Sequence, residues 1–147
     1  DLFGDLELSS NAIGVCEDAI DMALRYAYTQ KRGGKRLFDH QLVQLKINEM
    51  SMLTEALRSF VMRIAWEHDQ GQRSATGVLA VNYSTDVIIR VTQLNMEIHG
   101  RKGGMMNARV DKLVRDAMVW THLAGDTVLR LKAVSKIKPP EMSLAAE

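Results

Sequence analysis

Two short segments combine basic side chains with glycines and could bind an anion. They read KRGGKR at residues 31–36 and RKGG at residues 101–104. Cationic side chains and free backbone N–H groups together suit a phosphate, although neither segment has the spacing of a known phosphate-binding loop. Two interpretations therefore stay open, a solvated charge cluster at helix ends and a contact with a phosphate or CoA.

Other reactive side chains are scattered. The four histidines show no HxxxH or ExxH pairing, which predicts that the chain has no metal site. The single cysteine, Cys16, has no neighbouring base, and we expect a buried, inert thiol. A chain with one cysteine and no internal disulfide fits the cytoplasm or an organelle matrix.

Composition narrows the class of partner. The net charge is +1 over 147 residues and the basic segments lack interleaved aromatics, which argues against nucleic acid. No apolar run approaches the roughly 20 residues that span a bilayer, so no membrane span is expected. The acidic N-terminus, DLFGDLELSS, is not a secretory signal.

Helical periodicity dominates the pattern of apolar residues, and the sequence shows no strand pattern. Both prolines lie at positions 139 and 140, which favours long helices before them. Apolar positions at i, i+3, i+4 and i+7 predict helices over about 11–29, 39–70, 74–99 and 108–123, then a short helix over 126–137. Short connections between them predict an all-α, antiparallel up-down four-helix bundle over residues 1–138 with a flexible tail at 139–147.

Polar residues and glycines set the expected helix boundaries. Ser9, Ser10 or Asn11 is predicted to cap the first helix, Asp39 the second and Asp126 the last. Residues 30–38 are expected to form a basic turn in which Gly33 and Gly34 stop the helix, and residues 100–107 a flexible loop.

The second helix is apolar on more than one side. One stripe runs through Val43, Met50, Leu57 and Ile64, and other large apolar side chains widen it, namely Leu42, Leu45, Phe60 and Trp66. Core packing alone explains the first stripe. The wider face has two interpretations, additional core or contact with a partner subunit.

Five segments, in order and at consistent spacing, resemble the C-terminal helical domain of the acyl-CoA dehydrogenase family. They are NAIG at residues 11–14, KRGGKRLFDHQLVQLKINEM at 31–50, WEHDQG at 66–71, EIHG at 97–100 and KLVRDA at 112–117. The resemblance covers about residues 2–135. It implies that the chain corresponds to the last of three family domains and that acyl-CoA would bind through the domains that are not in this sequence.

The resemblance also implies a reaction that this chain is poorly equipped to perform. Family members remove a proton beside a thioester and pass a hydride to FAD, and proton abstraction needs a positioned carboxylate. The two family positions for that carboxylate match Ala124 and Gly4, which have no acidic group. Asp126 is a weak replacement, since a helix N-cap explains it more simply, and Glu7 would require a different alignment.

The flavin contacts implied by the family are altered as well. Gln30, Arg32 and Gly33 occupy the places of Arg, Thr and Phe in the family's RKTFG turn, and Arg32 could replace part of the phosphate charge. Arg101 stands within the family's GGxG segment, and Asp126 replaces a Thr. The cofactor-binding positions implied by the resemblance are Gln30, Arg32, Lys35, His99, Gly100, Arg101, Asp126 and Thr127.

Three hypotheses follow. The first is a non-catalytic relative of acyl-CoA dehydrogenases, whose bundle serves homo- or hetero-oligomerisation and completes a flavin or acyl-CoA site with other domains or subunits. The second is a fragment of an active FAD-dependent dehydrogenase, an oxidoreductase of fatty acid metabolism, whose base comes from elsewhere. The third is a stand-alone bundle that binds a phosphorylated ligand or a protein partner.

Overall fold

Five helices and one small hairpin make up the described part of the chain. This computed structural model describes residues 2–72, 76–105, 109–123, 126–135 and 137, with side chains from residue 4 onward. The α-helices are α1 (Leu2–Thr29), α2 (Gln41–Asp69), α3 (Gly77–His99), α4 (Val110–Leu123) and α5 (Thr127–Val134). The strands are β1 (Lys31–Arg32) and β2 (Lys35–Arg36), and 3-10 helices cover Leu37–Asp39 and Gly100–Gly104.

Ion pairs between helices define an up-down bundle. Arg90 of α3 donates to Glu49 of α2 at 2.6 Å, and Lys46 of α2 contacts Glu97 of α3 at 2.8 Å, so these two helices are antiparallel. Arg58 of α2 pairs with Glu17 of α1, and Leu24 and Ser51 line the same groove further along, so α1 is antiparallel to α2. The end of α1 lies beside the end of α3, where Tyr26 stacks on His99, so α1 is parallel to α3. The predicted all-α four-helix bundle is confirmed, and α5 is a fifth, short helix on α3.

The core contains the residues that helical periodicity predicted. Met50, Leu57 and Ile64 of α2 are fully buried, and so are Ile88 and Leu94 of α3. Small side chains of α1 face them, at Ala12, Cys16, Ala19, Ala23 and Ala27. Because these side chains are small, the backbone of α1 can lie close to α3, against which it packs.

The predicted start of the first helix was wrong. α1 begins at Leu2, nine residues before the predicted start at Asn11, and none of the three residues predicted to cap it lies at its start. Ser9 is buried and its hydroxyl donates to the Asp5 carbonyl at 2.8 Å, inside the helix. A serine that bonds the preceding turn is compatible with a helix interior, so its capping tendency did not decide the boundary.

The basic turn is a β-hairpin, which corrects the expectation of no strands. Lys31 pairs with Arg36 and Arg32 with Lys35 across an antiparallel ladder. Gly33 and Gly34 connect the strands at positive φ, 59° and 82°, as two-residue hairpin turns of this kind require. The sequence placed the glycines correctly, but strands of two residues are too short to show alternation.

Three further boundaries differ from the prediction. His40, not Asp39, is the N-cap residue of α2, because both Asp39 carboxylate oxygens accept hydrogen bonds from Arg36, at 3.0 and 3.1 Å. The predicted flexible loop after α3 begins with the 3-10 helix Gly100–Gly104. The last helix ends at Val134 rather than near Ile137. The predicted tail at 139–147 lies outside the described residues.

Candidate functional site

Six of the eight predicted cofactor positions gather at one end of the bundle. Gln30 directly follows α1, and Arg32 and Lys35 lie in the hairpin. His99, Gly100 and Arg101 lie where α3 is followed by the 3-10 helix Gly100–Gly104. Lys102 joins the two segments, because its ammonium donates to Gln30 Oε1 at 3.3 Å. We call residues 30–36 and 100–104 together the hairpin end.

The 3-10 helix of the hairpin end is held against α3 by a glycine. A Cβ at Gly103 would lie 2.9 Å from the Met96 carbonyl oxygen and 3.2 Å from His99 Cβ. A side chain at this position would therefore collide with backbone. Gly100, at φ 56°, is the C-cap residue that ends α3 just before. The backbone thus places Arg101 and Lys102 beside the end of α1.

His99 is a packing residue of this end. Its ring stacks on Tyr26 of α1 with centroids 4.1 Å apart, and its Nδ1 lies 2.9 Å from the Asn95 carbonyl oxygen. Burial lowers the pKa of His99 below the usual 6.5, because desolvation disfavours the imidazolium more than the Asn95 hydrogen bond favours it. A neutral imidazole that donates to Asn95 accounts for the contact. Tyr26 was not predicted, since helical spacing alone does not mark it.

A cavity of about 210 Å³ opens beside the hairpin end, between the start of α2 and the end of α3. Its wall is apolar at Leu37, Val43 and Ile98. The polar groups that line it are Arg32, Lys46 and Glu97, and the last two form an ion pair with each other.

A larger cavity, of about 360 Å³, lies between α1 and α2 away from the predicted site. Its carboxylates already have cationic partners, since Glu17 and Glu55 both contact Arg58 and Asp21 contacts Arg25. Because Arg58 pairs with both Glu17 and Glu55, these charges leave little net electrostatic potential in the cavity. It supports no ligand assignment.

Asp126 and Thr127 do not join the hairpin end. They start α5, which contacts α3 through Arg130 and Asp86 at 2.7 Å. Asp86 precedes His99 by 13 residues, or roughly 20 Å along a helix. Asp126 Oδ1 accepts from the Leu129 backbone N–H at 2.8 Å, so the predicted N-cap is confirmed. Any contact of Asp126 and Thr127 with the ligand of the hairpin end would need a second subunit.

Neither family position for the base carries an acid. Gly4 is the third residue of α1, at the end of the bundle far from the hairpin, and a Cβ there would meet nothing within 4 Å. Ala124 lies outside the described residues, and its side chain has no titratable group. Asp126 and Glu7 are the acids that the sequence offered instead, and the first already caps α5.

Two further expectations concern Cys16 and metals. Cys16 is fully buried, as predicted, and burial raises the pKa of its thiol to about 12 despite a hydrogen bond to Thr54.

Over the described ranges, no group of three His, Cys, Asp or Glu side chains could hold a metal ion. None of the helices in those ranges has the length and apolarity that a bilayer crossing requires.

The hairpin end offers basic side chains and accessible backbone that suit an anion. Arg32, Lys35, Arg101 and Lys102 are all exposed, Gly100 leaves exposed backbone beside them, and the Lys35 ammonium donates to the Asp39 carbonyl oxygen at 3.4 Å. Gly33, however, offers no ring to stack where the family turn has Phe, and Gln30 brings no charge.

The family model of the acyl-CoA dehydrogenase C-terminal domain matches residues 6–137. A caffeyl-CoA reductase-Etf complex subunit of Acetobacterium woodii is 29% identical over 134 residues, which are 90% of this chain and 35% of that protein. The cyclohexane-1-carbonyl-CoA dehydrogenase of Geobacter metallireducens is 28% identical, over 88% of this chain and 34% of its own. Butyryl-CoA dehydrogenase of Megasphaera elsdenii superimposes with a TM-score of 0.83 at 25% identity, over 89% and 35% of the two chains. The chain thus spans about a third of the length of these relatives.

Proposed function

Because this chain belongs to the acyl-CoA dehydrogenase family as a C-terminal helical domain, we propose that it joins subunits of a larger flavoprotein-like assembly. In that assembly it supplies no catalytic base, and its hairpin end contacts the phosphates of a flavin nucleotide. The observation that carries the proposal is an exposed apolar surface on α2. Members of the family are FAD-dependent.

Exposed apolar side chains lie mostly opposite the buried face of α2. We call them the outer face of α2, and they are Leu42, Leu45, Met52, Met62 and Trp66, which are each 59–74% exposed. At 100° per residue, Leu45, Met52, Met62 and Trp66 fall within a sector of about 100°, roughly 120–180° from Leu57 in the buried stripe, whereas Leu42 lies about 60° from it at the margin. Four large apolar side chains on one side of a helix are more than scattered surface residues, and such a patch is typical of an interface.

Neighbouring residues strengthen that interpretation. Exposed positions within the same sector include the uncharged Asn48 and Ser59 and the charged Glu55 and Arg63. Both charged side chains are held in ion pairs within the chain, Glu55 with Arg58 and Arg63 with Glu67. Since the centre of a protein–protein interface is depleted of free charge and enriched in Met and aromatic residues, the outer face suits a second subunit.

The missing base supports a non-catalytic role. A positioned general base typically contributes about 10²–10⁴-fold to a rate, and Ala124 and Gly4 provide none. Asp126 uses one carboxylate oxygen to cap α5. The domain therefore keeps features that support assembly and phosphate contact, and lacks the group that would transfer the proton.

Light scattering coupled to gel filtration tests the assembly role. We expect the protein to be an oligomer and Leu45→Glu to dissociate it, because a carboxylate in a dry interface loses its hydration. Leu131→Glu on α5 is the matched control, since Leu131 is 66% exposed and Leu45 64%. A monomeric wild-type protein, or equal dissociation by both variants, would contradict the proposal.

Activity of the protein with its remaining domains tests the chemical part. We expect no measurable dehydrogenation of acyl-CoA before or after Ala124→Glu, because the flavin-facing residues have changed together with the base. High activity of the unaltered protein would refute the non-catalytic role. It would favour instead an active dehydrogenase with a base from another segment.

A further inference from the structure

We infer that the seam between α1 and α3 contains a binding site for an ordered water molecule, formed by the side-chain amide of Asn95. The seam is the line along which these two helices pack, and it includes Ala19 and Ala23 of α1 and Asn95 and His99 of α3. The water bridges the Asn95 amide to the backbone of α1. This site lies inside the bundle, and it does not depend on the assembly role or on the ligand of the hairpin end.

Asn95 has a buried amide whose hydrogen-bonding groups are unused within the protein. The residue is 0% exposed, and neither Oδ1 nor Nδ2 has a hydrogen-bond partner among the described residues. In the same part of the chain Asn82, Asp111 and Trp120 each have one buried polar atom of this kind, whereas Asn95 has two. Because a buried amide without hydrogen bonds destabilises the folded state, both ends of the Asn95 side chain require a partner.

Helix geometry directs the Asn95 side chain towards α1. Asn95 precedes His99 by one turn on the same face of α3, and the His99 ring stacks on Tyr26 of α1 with centroids 4.1 Å apart. Since the two helices are parallel, Asn95 lies opposite the turn before Tyr26, where Ala23 is fully buried. Ala19, one turn earlier, is fully buried as well. Neither alanine has a polar side-chain atom, so neither can satisfy the amide.

Water suits this position better than an ion or an apolar ligand. Among the described residues no Asp, Glu, Lys or Arg is buried, so the interior offers no charge to hold an ion. A water molecule both donates and accepts, as the two ends of an amide require, and a buried water typically makes about three hydrogen bonds. Thr92, three residues before Asn95, provides a further acceptor, because its hydroxyl donates to the Ile88 carbonyl at 2.8 Å and keeps a lone pair.

The alanines of α1 make its backbone the other end of the bridge. A helical carbonyl oxygen keeps a second lone pair after its bond within the helix, and a small side chain leaves that oxygen accessible. Contacts between small apolar side chains also permit neighbouring registers of two helices. A hydrogen bond from Asn95 through water to α1 therefore fixes how α1 lies along α3, as a buried Asn does in coiled coils.

Oxygen-17 magnetic relaxation dispersion counts the water molecules that a protein holds for longer than it tumbles, and it tests the site. We expect the wild-type protein to hold at least one more such water than Asn95→Leu, because leucine has a similar volume and no polar atom. Asn95→Ala serves the same purpose if the leucine variant does not fold, since a small apolar cavity stays dry.

Ser84→Ala is the matched control. Ser84 is fully buried on the same face of α3, and its hydroxyl already donates to the Val81 carbonyl at 2.7 Å. The number of long-lived waters in Ser84→Ala should therefore equal that of the wild type. An equal loss in Ser84→Ala and Asn95→Leu would overturn the inference, and so would no loss in Asn95→Leu.

A crystal structure of the wild-type protein is the second measurement, and it does not depend on any variant. We expect a water within hydrogen-bond distance of the Asn95 amide and of a backbone oxygen of α1. An Asn95 amide that bonds only protein atoms in that crystal structure would overturn the inference.

Discussion

The hairpin end of the bundle joins groups from different elements, whereas the start of α5 uses its polar groups locally. Lys102 contacts Gln30 across the bundle end, and Tyr26 of α1 stacks on His99 of α3. Asp126, in contrast, caps its own helix, and Gly4 at the start of α1 has no side chain. In the proposed function, phosphate contact and proton transfer therefore depend on different parts of the domain.

The largest effect that we expect from breaking this contrast is at Gly103. Gly103→Ala places a methyl group 2.9 Å from the Met96 carbonyl oxygen, and overpacking of this kind destabilises by about 1–3 kcal/mol. The free energy of unfolding measured in urea should fall by that amount. Gly104→Ala is the control, since a Cβ there meets nothing within 4 Å. Equal loss in both variants would show that the 3-10 helix is not held by this contact.

A smaller effect is expected at Asp126. Asp126→Ala removes the side chain that accepts from the Leu129 N–H, and loss of an N-cap costs about 1 kcal/mol. Asp126→Asn keeps the cap and removes the charge, so its thermal unfolding should match the wild type. If Asp126→Asn abolished a measurable dehydrogenase activity, Asp126 would be a base after all.

The smallest effect is a gradual fall in the free energy of unfolding as pH decreases, and it tests the packing of the hairpin end. The pKa of His99 is lower in the folded protein than in the unfolded chain, so the unfolded state binds the proton first as pH falls. The stabilisation that neutral His99 provides is complete above pH 6.5 and is lost as pH drops through the folded pKa. Unfolding in urea at several pH values should show this decline.

His99→Gln should flatten the decline between neutral and mildly acidic pH. His122→Gln, at an exposed position on α4, should leave it unchanged. A decline of the same steepness in both variants would mean that other groups titrate there.

Much of the core was predictable because it depends on short-range spacing. The buried stripes of α2 and α3 follow from apolar residues at helical intervals, and the Asp126 cap follows from a residue type beside a helix. The start of α1 was not predictable, because a serine can either cap a helix or donate to the preceding turn inside one. Ser9 is buried and donates to the preceding turn.

The site was predictable only as two separate segments. Basic residues and glycines marked both of them, but the contact between Lys102 and Gln30 depends on how α1 and α3 end side by side. The close contact at Gly103 likewise involves a carbonyl seven residues earlier in a folded turn. Such information is three-dimensional, and one sequence does not contain it in any local pattern.

The buried Cys16 has a practical consequence. It is the only cysteine of the chain, and with a pKa of about 12 its thiol stays protonated and inaccessible at neutral pH. A cysteine introduced on the surface would therefore react selectively with a maleimide dye while Cys16 stays in place. Fluorophores attached near the hairpin and near the outer face of α2 would then report, by energy transfer, whether copies of the protein associate and how they are arranged.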